Sequence, residues 1–394
     1  MARVPLVSIA LALCLATAAP AVLTALFPRR FRDDSARRGL WRLTLPLALG
    51  ALALEALGRY ASPLGGGALR PLIAVERVAL YVTVLTALGV SLLRVAALLV
   101  PEPDVDVTTP TSPDLSRREA LTRGAAVASV AVGGACSVVG LRERHALEVT
   151  ELEVYIPGLP AALEGYTLLQ VTDLHVGVFT GDDELRHVEE VLRRLRGDAL
   201  VVTGDIMDYS PRHIPEGMRA LARLRPLARD GAFAALGNHD HYTGHRRVTE
   251  GLRRAGVLPL VNDRVRLGDP TRGLVLAGVD DVMAPRVSPG SRPDLDRALR
   301  GVERGEPAVL LAHNPKFFAE SRGRVALQLS GHTHGGQVDL GPLTRRLLRH
   351  VAGRYEERGS TLFVSRGVGI TGPPVRLGAR PEVARLGLTG RRRT

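Results

Sequence analysis

The sequence predicts an α/β domain of βαβ units around a parallel core, set behind a helical membrane-spanning region. Three observations predict it. The long apolar runs are confined to residues 1–141. Beyond them, short apolar runs alternate with amphipathic helical stretches, the pattern in which helical crossovers lay strands side by side. Acids, asparagine and histidines then collect just after five of those short runs.

Four segments carry the membrane expectation. Residues 5–27 and 78–100 are long enough to span, since a crossing takes about 20 mostly apolar residues. The second of these includes Arg94, whose long stem lets its charge snorkel to one face. Residues 43–57 are short but very apolar, and 124–141 are a milder run of Ala, Val and Gly. Arginines crowd the loop after the first segment (Arg29, Arg30, Arg32, Arg37, Arg38, Arg42) and the loop before the fourth (Arg117, Arg118, Arg123). They are sparser between the second and third, at Arg59, Arg70 and Arg77. Basic loops stay in the cytoplasm, so the N-terminus and residues 142–394 are expected outside it. Ser116-Arg117-Arg118-Glu119-Ala120-Leu121 resembles a twin-arginine export signal and reads equally as an ordinary anchor. Both place the C-terminal domain in the same compartment. Residues 101–113, rich in Pro, Asp and Thr, read as a linker.

The net charge of +12 does not point to nucleic acid. Lys316 is the sole lysine, the arginines are scattered through loops, and aromatics are 4% of the chain. The stacking platform of a single-strand binder is missing. Cys14 and Cys136 both lie in apolar runs, which leaves neither a disulfide framework nor a thiolate metal site.

In the C-terminal part, 166–172 is a buried strand and 182–196 a helix with Leu185, Val188, Val191, Leu192 and Leu195 on one side. A strand at 199–203 stops at Gly204, a helix covers 214–229, and a strand at 232–236 stops at Gly237. Strands follow at 273–279, 308–312 and 325–330, with a helix over 294–303, and 361–365 and 382–388 close the domain. Residues 367–372 match G-x-G-x-x-G by letter. A dinucleotide fingerprint must open a helix, and Pro373 and Pro374 forbid that, so the segment reads as a loop near the site.

Ligands of an open α/β sheet bind beyond the carboxyl ends of its strands. There the sequence places Asp173 and His175, then Asp205 and Asp208, then Asn238, His239 and Asp240, then His313, and finally His332 and His334 within GHTHGGQ. Any one of these elements is common. Together they form a nitrogen and oxygen donor set without sulfur, which suits Mn, Fe or Zn. It exceeds what one ion holds, and two ions sharing a carboxylate use it fully. Nearby, His241 and His245 read as solvated, with His241 the better candidate for substrate. Arg376 reads as a phosphate contact or as the partner of a surface acid.

The order Asp-x-His, Gly-Asp-x-x-Asp, Gly-Asn-His-Asp, a lone His and Gly-His-x-His resembles the calcineurin-like metallophosphoesterase superfamily from about residue 168 onward. Ser365-Arg366-Gly367, Pro374-Val375-Arg376-Leu377-Gly378 and Arg380-Pro381-Glu382 resemble its bacterial membrane-associated or exported branch. The resemblance implies a layered α/β sandwich, central mixed sheets flanked by helices, over residues 142–394. It implies one ion on Asp173, His175 and His334, another on Asn238, His313 and His332, and Asp205 bridging them. His239 would be catalytic and face the substrate, with Asp240 orienting it and Asp208 supporting the loop. Two divalent ions (Mn, Fe or Zn) would activate a hydroxide for attack on a phosphoester. Location outside the cytoplasm suggests a phosphodiester or a lipid-linked envelope phosphoester. The alternative is a catalytically silent metal-binding sensor at the membrane, against which the retained His239 argues. A transporter with a soluble appendage is disfavoured because the apolar segments hold few polar residues.

Overall fold

The structure, a computed structural model, describes residues 138–392 apart from 304, 340, 348 and 373, together with scattered positions between 124 and 136. The expected spanning segments 5–27, 43–57 and 78–100 lie outside the described residues, as does most of 124–137. Among the described residues no helix is long and apolar enough to cross a membrane. The chain divides into two units, Met1–Val139 and Gly140–Thr394.

The second unit runs β1 (Glu148–Tyr155), β2 (Thr167–Val171), α1 (Asp182–Leu195), β3 (Ala199–Thr203), α2 (Ile214–Leu224), β4 (Ala232–Ala235), α3 (Asn238–Thr243), α4 (His245–Arg254), β5 (Val257–Pro259), β6 (Asp263–Leu267), β7 (Leu274–Gly278), α5 (Leu295–Ala298), β8 (Ala308–Leu311), α6 (Phe318–Ser321), β9 (Leu327–Ser330), α7 (Pro342–Leu347), β10 (Gly353–Glu357), β11 (Ser360–Val364) and β12 (Glu382–Thr389). These strands form two six-stranded sheets, ordered β1-β12-β2-β3-β4-β5 and β10-β11-β9-β8-β7-β6. Strands β2 to β5 are parallel neighbours, as are β7, β8, β9 and β11. Antiparallel β12, β6 and β10 make both sheets mixed.

The layers follow from the two-residue period of a strand. Leu168, Val201, Phe233 and Ala235 of the first sheet meet Leu276, Val309, Leu311, Leu329 and Phe363 of the second. Their neighbours Leu169, Val171, Leu200 and Val202 face outward and are covered by Leu185, Val188 and Leu192 of α1, Leu221 of α2 and Leu252 of α4. Because both faces are covered, β4, β7 and β8 read as unbroken apolar runs. Helix α1 carries Asp182, Asp183 and Glu184 in its first turn and Arg193 and Arg194 in its last, charges that suit the helix dipole.

The structure shortens two expected helices and adds elements the sequence hid. Helix α2 gives way to a 3-10 turn at Arg225–Leu227, where Pro226 has no amide hydrogen to extend the ladder. Only Leu295–Ala298 of 294–303 is α-helical, with Gly301 in the left-handed region at φ 75 shortly beyond it. Strand β1 alternates half-buried with exposed residues and pairs along its length with β12, Glu148 opposite Glu382. Nothing local in Glu148–Tyr155 announces a partner so distant in sequence.

A polar seam joins the sheets behind the strand ends. Gln170 Nε2 donates to Thr203 Oγ1 (2.9 Å) in its own sheet and to the Ser330 carbonyl (3.1 Å) in the other. Ser330 Oγ donates to the Ala312 carbonyl (2.6 Å) and accepts from Gln328 Nε2 (3.0 Å). Removing a buried partner leaves desolvated groups unpaired, at about 1–3 kcal/mol. Ser330→Ala is expected to lose that much stability, read as a lower denaturant midpoint with an unchanged m-value.

Candidate metal centre

The residues after β2, β3, β4, β8 and β9 gather at one edge of the two sheets. The turns that carry them are bent hard. Asp173 (φ 52), His175 (φ 44), Asp205 (φ 50), His332 (φ 72) and His334 (φ 52) all sit in the left-handed region. Side chains avoid that region, and each such residue costs on the order of 1–3 kcal/mol. Surrounding packing offsets the strain, and what the strain achieves is aim. Two glycines let the turns close up. A Cβ on Gly331 would stand 2.1 Å from Asp173 Oδ2, and one on Gly237 2.2 Å from Asp205 Oδ1.

Among the described residues the donor atoms form three groups, two of which share His175. Asp173, His175 and His334 offer ligand atoms within 4.8 Å of one another, as do His175, Asp208 and His239, and as do Asp205, His313 and His332. His175 Nε2 faces His334 Nε2 at 2.9 Å, and His334 Nε2 is 3.5 Å from Asp173 Oδ1. On the other side, His313 Nε2 is 3.1 Å from Asp205 Oδ2, and His332 Nδ1 is 3.2 Å from His313 Nε2. Asp205 Oδ2 is also 3.7 Å from His175 Nε2, so one carboxylate oxygen reaches both groups. Asn238 Oδ1 is buried with no hydrogen-bond partner. An amide oxygen left unpaired in the interior fits a further ligand to a cation. The nitrogen and oxygen donors gathered here fit divalent ions.

Electrostatics favour the metal-binding forms of three imidazoles. Burial pushes His175 down to about 3 and His332 to about 4, and holds His334 well below its usual range. Neutral imidazole is the form that binds metal. Asp173 is raised by burial. Burial works against the charge of Asp205 as well, but the His313 and His239 imidazoles prevail and hold it ionised.

His239 is the second residue of α3, after Asn238, and its amide donates to Asp205 Oδ1 (2.8 Å). Its Nδ1 lies 2.8 Å from the Asp208 carbonyl. A carbonyl only accepts, so Nδ1 carries a proton and Nε2 is left for other work. Burial opposes a charge here, but Asp205 and Asp208 overcome it and raise His239 to about 9. Tyr209 and Tyr242 wall the ring, with centroids 4.5 and 5.2 Å away.

Three expectations need correction. Asp240 does not orient the His239 ring. Its Oδ1 accepts from the amides of Ile206 (3.1 Å) and Met207 (3.0 Å), and its Oδ2 from Gly237 (2.9 Å). It ties α3 to the turn after β3, because the free amides there outcompete a ring already held by Asp208. His241 is not solvated: it is 3% exposed, with Nε2 2.7 Å from Asp280 Oδ1 and Nδ1 3.1 Å from Ser288 Oγ. His245 stacks on it. Arg376 pairs with no surface acid but is fully buried against backbone carbonyls.

Sequence reasoning missed Tyr209, Tyr242, Asp280 and Asp281. For the two acids a signal existed, since they follow β7 just as the ligands follow the other strands. Asp281 is buried with Oδ2 unpaired. Burial raises its pKa while the His313 charge opposes the rise.

Residues 166–336 match the family model described as calcineurin-like phosphoesterase. An uncharacterized metallophosphoesterase of Aquifex aeolicus is 33% identical over 252 residues, which span 63% of this chain and 94% of the relative. A transmembrane protein with metallophosphoesterase domain of Danio rerio is 31% identical over 249 residues, 61% of this chain and 56% of that protein. A solved dimetal phosphatase from Danio rerio is 15% identical with a TM-score of 0.34, covering 52% of this chain and 88% of its own. Since Asp205 reaches both donor groups, Asp205→Asn is expected to weaken uptake of both ions, whereas Asp173→Asn weakens one. Elemental analysis after gel filtration reads the difference.

Proposed function

The chain belongs to the calcineurin-like phosphoesterase family, and we propose that it hydrolyses phosphoester bonds with two divalent ions held at its strand ends. The observation that carries this reading is the position of Asp205 Oδ2, within 3.1 Å of His313 Nε2 and 3.7 Å of His175 Nε2. When bound, such ions neutralise the phosphoryl oxygens and lower the pKa of water from about 15.7 toward about 7.

The chain supplies the rest. Asp173, His175 and His334 would hold one ion, Asn238, His313 and His332 would hold the other, and Asp205 would serve both. The left-handed turns fix these side chains before substrate arrives, so little reorganisation accompanies the reaction. The Asp208 carbonyl anchors His239 through Nδ1, which leaves Nε2 to face the substrate. His239 Nε2 then gives its proton to the departing oxygen, general acid work worth about 10²–10⁴-fold. Tyr209 and Tyr242 keep bulk water from that ring. A catalytically silent sensor would have no use for a histidine anchored through Nδ1 and walled by two tyrosines, and the hydrolase reading is preferred for that reason.

The apolar segments of residues 1–141 support a membrane anchor, and the arginine distribution supports an extracytoplasmic catalytic domain. The Danio rerio relative named a transmembrane protein is consistent with an anchor. A domain held there would meet phosphodiesters or lipid-linked phosphoesters of the envelope.

Two measurements test the reading. Purified full-length protein in detergent with Mn²⁺ is expected to cleave bis-p-nitrophenyl phosphate. Chelation should abolish the activity, and His239→Ala should lower kcat by about 10²–10⁴-fold with both ions retained. Activity that survives chelation, or none with any divalent ion, would reject it. For topology, a phosphatase reporter fused after Thr394 should be active and a fluorescent cytoplasmic reporter dark; the opposite pattern would overturn the orientation.

A further inference from the structure

Tyr242 stands beside the metal centre with 36% of its surface exposed. Its ring lies almost parallel to that of Tyr209, at 6° with centroids 5.8 Å apart. Both rings meet the imidazole of His239, at 59° for Tyr209 and 63° for Tyr242. The same imidazole stands edge-on to His175, with centroids 4.6 Å apart. His239 thus links a candidate metal ligand to a pair of aromatic faces. A single exposed aromatic ring needs no explanation. Two aligned rings against the candidate acid are different, because they present flat apolar area where the reaction would take place. Tyr209 backs one side of Tyr242, and the exposed remainder is free for a ligand.

The backbone beneath Tyr242 is held on both sides. Before it, Asp240 binds the amides of Ile206 and Met207. His241 Nε2 lies 2.7 Å from Asp280 Oδ1, and its Nδ1 lies 3.1 Å from Ser288 Oγ. After it, the left-handed Gly244 (φ 116) ends α3, and His245 Nδ1 lies 3.1 Å from the same Ser288 Oγ. The buried His241–Asp280 pair, which the candidate ligand sets leave unused, has its task here. A tyrosine has only two side-chain torsions, so it offers a large contact area at a small cost in conformational entropy. Fixing its backbone as well orients the ring before a ligand arrives.

We propose that Tyr242, aligned by Tyr209, is a specificity-determining residue that receives a planar ring carried by the leaving group of the substrate. This rests on the phosphoesterase reading, which puts the departing oxygen at His239 Nε2. An oxygen within hydrogen-bond reach of that nitrogen lies about 3 Å from it. The atoms beyond that oxygen then fall within reach of the tyrosines, whose centroids are 4.5 and 5.2 Å from the imidazole. A flat ring gains from offset or edge contacts with such faces, beyond the area it buries. Aryl esters and nucleoside esters share this chemistry. They differ in whether the ring joins the departing oxygen directly or through a sugar.

The test uses full-length protein in detergent with Mn²⁺ and measures kcat and KM for methyl phenyl phosphate, methyl trifluoroethyl phosphate and the symmetric diuridine phosphodiester. The intrinsic reactivity of each ester cancels when variant and wild type are compared on that ester. Leucine at 242 keeps an apolar side chain without the flat face. Tyr242→Leu is expected to lower kcat/KM for a ring-bearing ester about 5–100-fold more than for the trifluoroethyl ester, mainly as a raised KM. Tyr242→Phe, which keeps the ring, should retain the wild-type preference. An excess loss on the phenyl or the diuridine ester supports the proposal and identifies the source of the ring. A loss of equal size on all three esters would assign Tyr242 to shielding His239 alone and overturn it, as would a phenylalanine variant that loses the preference as leucine does. If the wild type cleaves none of the three with any divalent ion, the phosphoesterase reading itself fails and takes this inference with it.

Discussion

The site depends on one buried carboxylate. Asp205 follows Gly204 in a left-handed turn, and its two oxygens do different work. Oδ1 accepts the His239 amide and so fixes the start of α3. Oδ2 faces His313 from the second sheet and His175 from the first. This group therefore joins both sheets and the helix that bears the candidate acid. The neighbouring chain must come within contact of it, which is why Gly237 cannot carry a side chain. Asp240 completes the arrangement by binding the amides that follow Asp205.

Charge is distributed around that carboxylate with a consistent logic. Histidines crowded by other imidazoles are kept neutral by burial, as His332 and His334 are. Burial penalises His239 and His313 too, yet Asp205 overcomes the penalty at both. The same interior thus favours the neutral form at His332 and His334 and the charged form at His239 and His313 within a few ångströms of each other. The balance between burial and the pull of one carboxylate separates the two behaviours.

Two hydrogen bonds tie the sheets together beneath such strained turns, from Gln170 Nε2 to the Ser330 carbonyl and from His313 Nδ1 to the Thr203 carbonyl. Apolar faces pack without direction, so they alone would tolerate sliding. Hydrogen bonds between the sheets do not, and they lie next to the residues that turn into the site. Arg376 fastens the loop at 366–369 through the carbonyls of Gly367 and Gly369, and the Gly369 amide donates to the Asp173 carbonyl.

The central strands, the mixed donor set and its position at strand ends were legible in the amino-acid order. Apolar runs such as 199–203, the motif spacing and the glycines are local chemistry that a chain carries wherever it folds. Strand β1 carries the alternation of a half-exposed strand, but its pairing with β12 at the far end of the chain is settled only by the fold. The role of Asp240, the burial of His241 against Asp280, and the burial of Arg376 came from tertiary packing. In each case a polar side chain had several possible partners nearby in sequence. Its choice was settled by which backbone groups and acids the folded chain left unpaired within reach, a property of packing that no spacing of letters records.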